Sequence, residues 1–131
     1  MITYRTDPSS VRDDDLEPFF DGWPTPPAGE RRLAAIRGAD LVALAYDDDR
    51  LVGFATALTD GALMAYLSLL EVLPDHWGRG IGSTLVRSLE ERWGTLYGID
   101  LCCDEDVVPF YERLGFARVA GMVQRHPGRL P

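Results

Sequence analysis

The 131-residue chain contains no lysine and no asparagine, so all 13 of its basic residues are arginine. Both missing residues use A-rich codons, and their absence points to GC-rich bacterial coding. Cysteine is scarce as well: Cys102 and Cys103 are the only two, and they are adjacent. Neighbouring strand residues point to opposite faces, which argues against a disulfide between them, and no cysteine or histidine spacing suggests a metal site. A reducing, cytoplasmic setting is the expectation. No apolar run approaches the length of a membrane-crossing helix, and Met1 to Asp7 is a polar, β-like segment rather than a charged and then apolar leader. Neither a membrane partner nor secretion is expected. Positive charge is short too, since 21 acids against 13 arginines leave a net charge of -8. That field repels phosphate backbones, so nucleic acid is not an expected partner, while a cationic ligand is modestly favoured.

What is present reads as one domain, 1–131, with enough chain to bury a core. Met1 to Thr6 predicts a first strand, ended by Asp7-Pro8. Asp13 to Phe20 predicts a short helix with acids in its first turn, and Glu30 to Arg37 a second, closed by Gly38. The proline-rich stretch Gly22 to Gly29 forms the loop between them. Leu41 to Tyr46 and Leu51 to Leu58 predict a hairpin, and Leu63 to Leu73 a long apolar strand. Ile81, Leu85, Val86, Leu89 and Trp93 share one helical face. Gly98 to Cys103 predicts a strand, Val107 to Leu114 a short helix and Phe116 to Val123 a last strand; the proline-rich tail from Gln124 on does not suit another. The order β-α-α-β-β-β-α-β-α-β implies an α/β (α+β) domain: a mixed central sheet of about six strands between helical layers.

The strongest local signal is Gly78-Arg79-Gly80-Ile81-Gly82-Ser83, between a strand and a helix. Glycines there let the backbone approach an anion, and the free N–H groups of the helix's first turn point at it. Arg79 and the Ser83 hydroxyl offer further donors. Pyrophosphate is the anion this suits. The spacing departs from the dinucleotide fingerprint, because Ser83 or Leu85 stands where a third glycine is required, and the absence of any Gly-Lys pair excludes a Walker loop.

The run Leu70 to Val86 around this loop resembles the acetyl-CoA-binding motif of the GNAT superfamily of acyl-CoA-dependent N-acyltransferases, with its Q/R-x-x-G-x-G/A pattern. A second run, Asp104 to Phe116, resembles that family's F-Y-x-x-x-G-F segment through Phe110, Tyr111, Gly115 and Phe116. The resemblance covers Leu41 to Val123 and implies a three-layer α/β/α GNAT-like fold using acetyl-CoA as co-substrate, with no metal. The expected activity is transfer of the acetyl group to a small-molecule or peptide amine in a ternary complex. Two positions depart from the pattern: Trp77 replaces the Q/R donor, and Asp104 the usual Asn.

By that resemblance Val72, Leu73, Trp77, Gly78, Arg79, Gly80, Ile81, Gly82, Ser83 and Phe110 would hold the cofactor, in a gap where Leu63 to Leu73 and Gly98 to Cys103 splay apart. Backbone groups near Val72 would polarise the acetyl carbonyl, and Tyr111 would serve the departing thiolate as acid or hydrogen-bond donor. Glu71, in an otherwise apolar strand, is the first candidate for the base, against the plainer reading of a solvated edge glutamate. Asp104 stands second, with helix capping as its expected job. Tyr66 is placed to line the acceptor pocket, as is the apolar group Phe19, Phe20 and Trp23, which serves equally to pin the helices. His76 is expected at the surface, and Cys102 and Cys103 in the core. The chain offers no lysine for self-acetylation. A CoA-sensing or partner-binding module is the alternative to an enzyme, and the short C-terminal end leaves a homodimer open.

Overall fold

A computed structural model describes residues 1–130. Five strands form one sheet in sequential order: β1 (Ile2–Arg5), β2 (Leu41–Asp47), β3 (Arg50–Thr59), β4 (Met64–Val72) and β5 (Gly98–Asp100). Neighbours pair antiparallel from β1 to β4, and β4 pairs with β5 in parallel, so the sheet is mixed. Helices α1 (Asp13–Leu16), α2 (Gly29–Arg37), α3 (Ile81–Trp93) and α4 (Val108–Arg113) accompany it.

Adjacent residues of β3 separate the two helical layers, because successive strand side chains point to opposite faces. The Phe54 ring lies 5.0 Å from Phe19 and 5.9 Å from Phe20, which fixes α1 and its following loop on one face. Arg32 ties α2 to that layer through Asp13 at 2.9 Å. On the opposite face Gly53 leaves room for α3, whose Ile81, Leu85, Val86 and Leu89 are all buried. Each of these side chains contributes about 1.5–3 kcal/mol relative to exposure.

Three expectations are corrected. The first helix stops at Leu16 instead of running to Phe20. Pro18 lacks the N–H that would bond Asp14, and its ring crowds that carbonyl, so the chain turns. The sheet has five strands rather than six, since Phe116 to Val123 pairs with nothing among the described residues. The neighbour it needs, β5, ends at Asp100, and the run lies in the open, with Val119 83% and Met122 99% exposed. Cys102 and Cys103, past the end of β5, are exposed free thiols and not core residues.

Packing at Gly53 gives a test of the layer arrangement. A Cβ there would sit 3.2 Å from both the Glu71 carbonyl oxygen and Leu85 Cδ1, and 3.4 Å from Ile81 Cγ2. Gly53→Val should therefore cost about 1–3 kcal/mol by overpacking and lower the Tm by several degrees in a thermal melt. An unchanged Tm would contradict the seating of α3 on β3.

Candidate active site

The site begins where the parallel pairing stops. Met64, Ala65 and Tyr66 pair with Gly98, Ile99 and Asp100, and then β4 runs on to Val72 with no partner on that side. The Leu73 N–H donates to the Val52 carbonyl on β3 at 2.8 Å. Alternation then turns the N–H and C=O of Val72, and of Leu70 before it, toward the open side. A cleft of 690 Å³ occupies this gap.

At the mouth of the cleft stands the N-terminus of α3. The first intrahelical bond is donated by Thr84 to the Gly80 carbonyl, 3.1 Å, so the amides of Ile81, Gly82 and Ser83 have no helical partner. Gly78 and Gly80 hold φ near +78° and +77°, the left-handed region, which lets the chain enter the helix with those amides turned outward. Phe110 of α4 closes the other wall: a Cβ on Gly82 would meet its ring at 3.4 Å. The cradle of free amides and dipole is what an anion needs, and the edge of β4 is what an extended chain of amides needs.

Most of the residues expected at the site are brought together. Glu71, Val72, Trp77, Gly78, Gly80, Ile81, Gly82, Ser83, Phe110 and Tyr111 all line this one cleft. Two stand apart. Leu73 is buried in the core, and Arg79 is exposed and outside the cleft wall. Trp77, a residue 67% exposed, donates its indole N–H to the Val72 carbonyl at 2.6 Å, so its side-chain donor points back at the strand. Arg113 also lines the cleft. Sequence reasoning missed it, although its spacing of three from Phe110 on α4 puts both on one helical face.

Tyr111 is 9% exposed and makes edge-to-face contacts with Phe110, 4.9 Å, and Phe116, 5.8 Å. Burial, with the Cys103 thiol beside it, pushes its hydroxyl up to about 12. The phenol therefore keeps its proton through neutral pH and is a donor. Glu71 faces the other layer. Both of its oxygens accept from the Phe20 N–H, at 3.0 and 3.3 Å. Phe20 is itself in the left-handed region with φ 64°, so the bond and the burial of its ring offset a strained backbone. Desolvation raises the carboxyl's pKa, Phe20 opposes the shift and nearby Asp21 adds to it. The reading of Glu71 as a solvated edge residue is corrected, because it is half-buried and bonded.

The remaining candidates fall as follows. Phe19 and Phe20 are core residues on Phe54, while Trp23 is 36% exposed and outside the cleft lining, its ring 5.4 Å from Phe20. Tyr66 is partly exposed on β4, opposite Leu58, and its hydroxyl pKa is raised by burial and by Cys102. The Asp104 side chain makes no capping bond, against expectation. His76 is buried rather than at the surface, bonded through both ring nitrogens. A smaller groove of 290 Å³ lies between Leu101–Cys103 and the 116–123 run; it shares Tyr111, but its arginine, Arg118, is paired with Glu105.

Comparison with known proteins agrees with this geometry. The profile of the acetyltransferase (GNAT) family matches residues 9–116. A solved acetyltransferase-like structure from Deinococcus radiodurans R1 is 41% identical with a TM-score of 0.93, covering 98% of this chain and 91% of that one. The GNAT family protein SP0256 of Streptococcus pneumoniae TIGR4 is 27% identical with a TM-score of 0.81, covering 96% and 98%. The uncharacterised N-acetyltransferase ycf52 of Porphyra purpurea is 29% identical over 122 residues, 88% of this chain and 70% of the relative. The chain spans only 64% and 60% of its counterparts in Pyropia yezoensis and Gracilaria tenuistipitata. The chain belongs to the acetyltransferase (GNAT) family and is an acyltransferase. No helix among the described residues is long and apolar enough to cross a membrane.

The state of Glu71 yields a sign that can be measured. Its folded pKa lies above the ordinary 4.5, so ionisation costs native stability as pH rises through the raised value, and nothing is lost below 4.5. Glu71→Gln, whose amide oxygen still accepts from Phe20, should have a higher Tm than the parent at pH 7 and an equal one at pH 4. A variant less stable at pH 7 would mean that the charged bond to Phe20 outweighs desolvation.

Proposed function

We propose that this domain binds acetyl-CoA in the cleft between β4 and β5 and transfers its acetyl group to a primary amine, of a small molecule or a peptide. The observation that carries the reading is the alignment of one unpaired strand edge, one helix N-terminus and one buried tyrosine along a single cleft. The pyrophosphate would lie on the amides of Ile81, Gly82 and Ser83, with Arg113 supplying the charge that Trp77 does not. The pantetheine amides would run along Leu70 and Val72, displacing the Trp77 indole from the Val72 carbonyl.

The chemistry follows from the two walls. The amine nitrogen attacks the acetyl carbonyl carbon, a C–N bond forms, and the C–S bond breaks. The proton lost by the amine goes to Glu71, directly or through one water; its raised pKa makes it a better base than an ordinary carboxylate. Tyr111, held at about 12, lies above the range of a free thiol near 8.5. It therefore stabilises the departing thiolate by a hydrogen bond more than by giving up its proton. The amine enters from the Phe20–Trp23 side, where Glu71 faces, and the net charge of -8 draws a cation there. The two exposed free cysteines support a reducing, cytoplasmic setting. The unpaired 116–123 run, with Val119 and Met122 in the open, supports a homodimer that pairs it with a second copy.

Isothermal titration should register acetyl-CoA binding by the parent and none by Gly80→Glu, which strains a left-handed position and puts a carboxylate at the anion cradle. Tyr111→Phe should keep the affinity and lower kcat for an accepted amine by about 10²-fold. Binding without turnover of any amine would replace the enzyme reading by that of a CoA-sensing module. A monomeric mass in micromolar solution would remove the dimer.

A further inference from the structure

The phosphate-facing loop is held by a histidine to which the transfer chemistry assigns no part. His76 ends the 3-10 turn Pro74–His76, and its side chain is 7% exposed. Its Nε2 is 2.8 Å from Asp47 Oδ2, and its Nδ1 is 2.8 Å from Asp75 Oδ1. The second oxygens of both acids are occupied too. Arg50 donates to Asp75 Oδ2 at 3.0 Å, and the Met1 ammonium lies 3.3 Å from Asp47 Oδ1 and 3.8 Å from Asp48. Around the ring stand Asp47 at the end of β2 with Met1 on its other oxygen and Asp48 beside Met1, Asp75 on the turn itself with Arg50 of β3 on its other oxygen, and Arg79 beyond the turn. Immediately after His76 the chain passes through Gly78 and Gly80, both in the left-handed region, before the free amides of α3.

A neutral imidazole has one N–H, so it can donate to one acid only and must turn a lone pair toward the other. Only the imidazolium donates to both. The bonds to Asp47 and Asp75 accordingly raise its pKa above 6.5, opposed by burial and by Arg79. Loss of the proton does two things at once. It breaks one of the ring's two charge-assisted bonds, weakening the hold of a loop that the ring joins to the end of β2 through Asp47 and braces internally through Asp75, and it removes one positive charge near the site of an anionic ligand.

We propose that His76 is a positioning residue for the acyl donor: its imidazolium, shared between Asp47 and Asp75, fixes the path of Trp77–Gly82 and so sets the affinity of the amide cradle for the donor's pyrophosphate. This rests on the acetyl-CoA reading given above. Donor binding is then strongest while the clasp is protonated and weakens as pH rises through the histidine's pKa. The transfer step, which uses Glu71 and Tyr111, is not governed by it, so KM for the donor moves and kcat at saturation does not.

The test is the Kd of acetyl-CoA from pH 6 to 9 for the parent, His76→Gln and Asp47→Asn, with the ring of His76 followed by NMR in the same buffers. The chain has two histidines, so His76→Gln assigns the signal. The parent's Kd should rise by up to about tenfold per pH unit across the ring's titration, the limit for one linked proton. His76→Gln should bind weakly, with only the donor's own pH dependence left. Asp47→Asn, which keeps the ring and one acid, should shift the step to lower pH, and it stands in if His76→Gln fails to fold. Equal Kd values for parent and variants at every pH would overturn the clasp, as would a ring titration that leaves the Gly78–Gly82 amides still. If acetyl-CoA binds to none of them while those amides move with the ring, the donor reading falls and the tether stands.

Discussion

The structure depends on the early end of the parallel pairing between β4 and β5. After Tyr66 and Asp100 the two strands part, and the backbone groups of β4 beyond that point are left without a partner on one side. An unpaired buried edge is costly in a core and prone to aggregate at a surface. Here it forms the wall of a 690 Å³ cleft, whose mouth is the free end of α3. On this open side the Trp77 indole N–H supplies the Val72 carbonyl with its donor.

The two helical layers meet the sheet from opposite faces, and on each face a polar side chain adds to the packing. Glu71 accepts from Phe20 and thereby sets the loop after α1, with Phe20 in a strained conformation that its buried ring and this bond sustain together. On the other face His76 joins the glycine-rich loop to Asp47 at the hairpin turn. Each face is thus anchored by an ionisable group of one short segment: Glu71 immediately precedes Val72, and His76 immediately precedes Trp77. Neither anchor is free to relax without moving a wall of the cleft.

Much of this could be read from the residues. The apolar periodicity of Ile81–Trp93 and the glycines before it gave α3 and its exposed start, because a helix terminus after left-handed glycines is a local property of the chain. The second segment, Phe110-Tyr111 to Gly115-Phe116, was legible as a short helix from its residues and as the far wall only through the family resemblance. What failed was non-local. The run 116–123 is apolar enough for a strand, but a strand requires a neighbour, and β5 is too short to be one. His76 looked like a surface residue because its partner Asp47 lies 29 positions away and meets it only through the fold. Pro18 was legible and overlooked: its position after Asp13–Glu17 was enough to end the helix. Arg113 was legible as well, once Phe110 was known to face Gly82.

The central claim is that the donor lies along the open edge of β4 and on the first turn of α3. Amide chemical-shift mapping tests it most directly, by titrating acetyl-CoA into the labelled protein. The account predicts the largest shifts at Leu70, Val72 and Ile81–Ser83, with the Trp77 indole N–H signal moving as its bond to Val72 is replaced. Shifts confined to Leu101–Cys103 and the 116–123 run would place the ligand in the smaller groove and contradict the account.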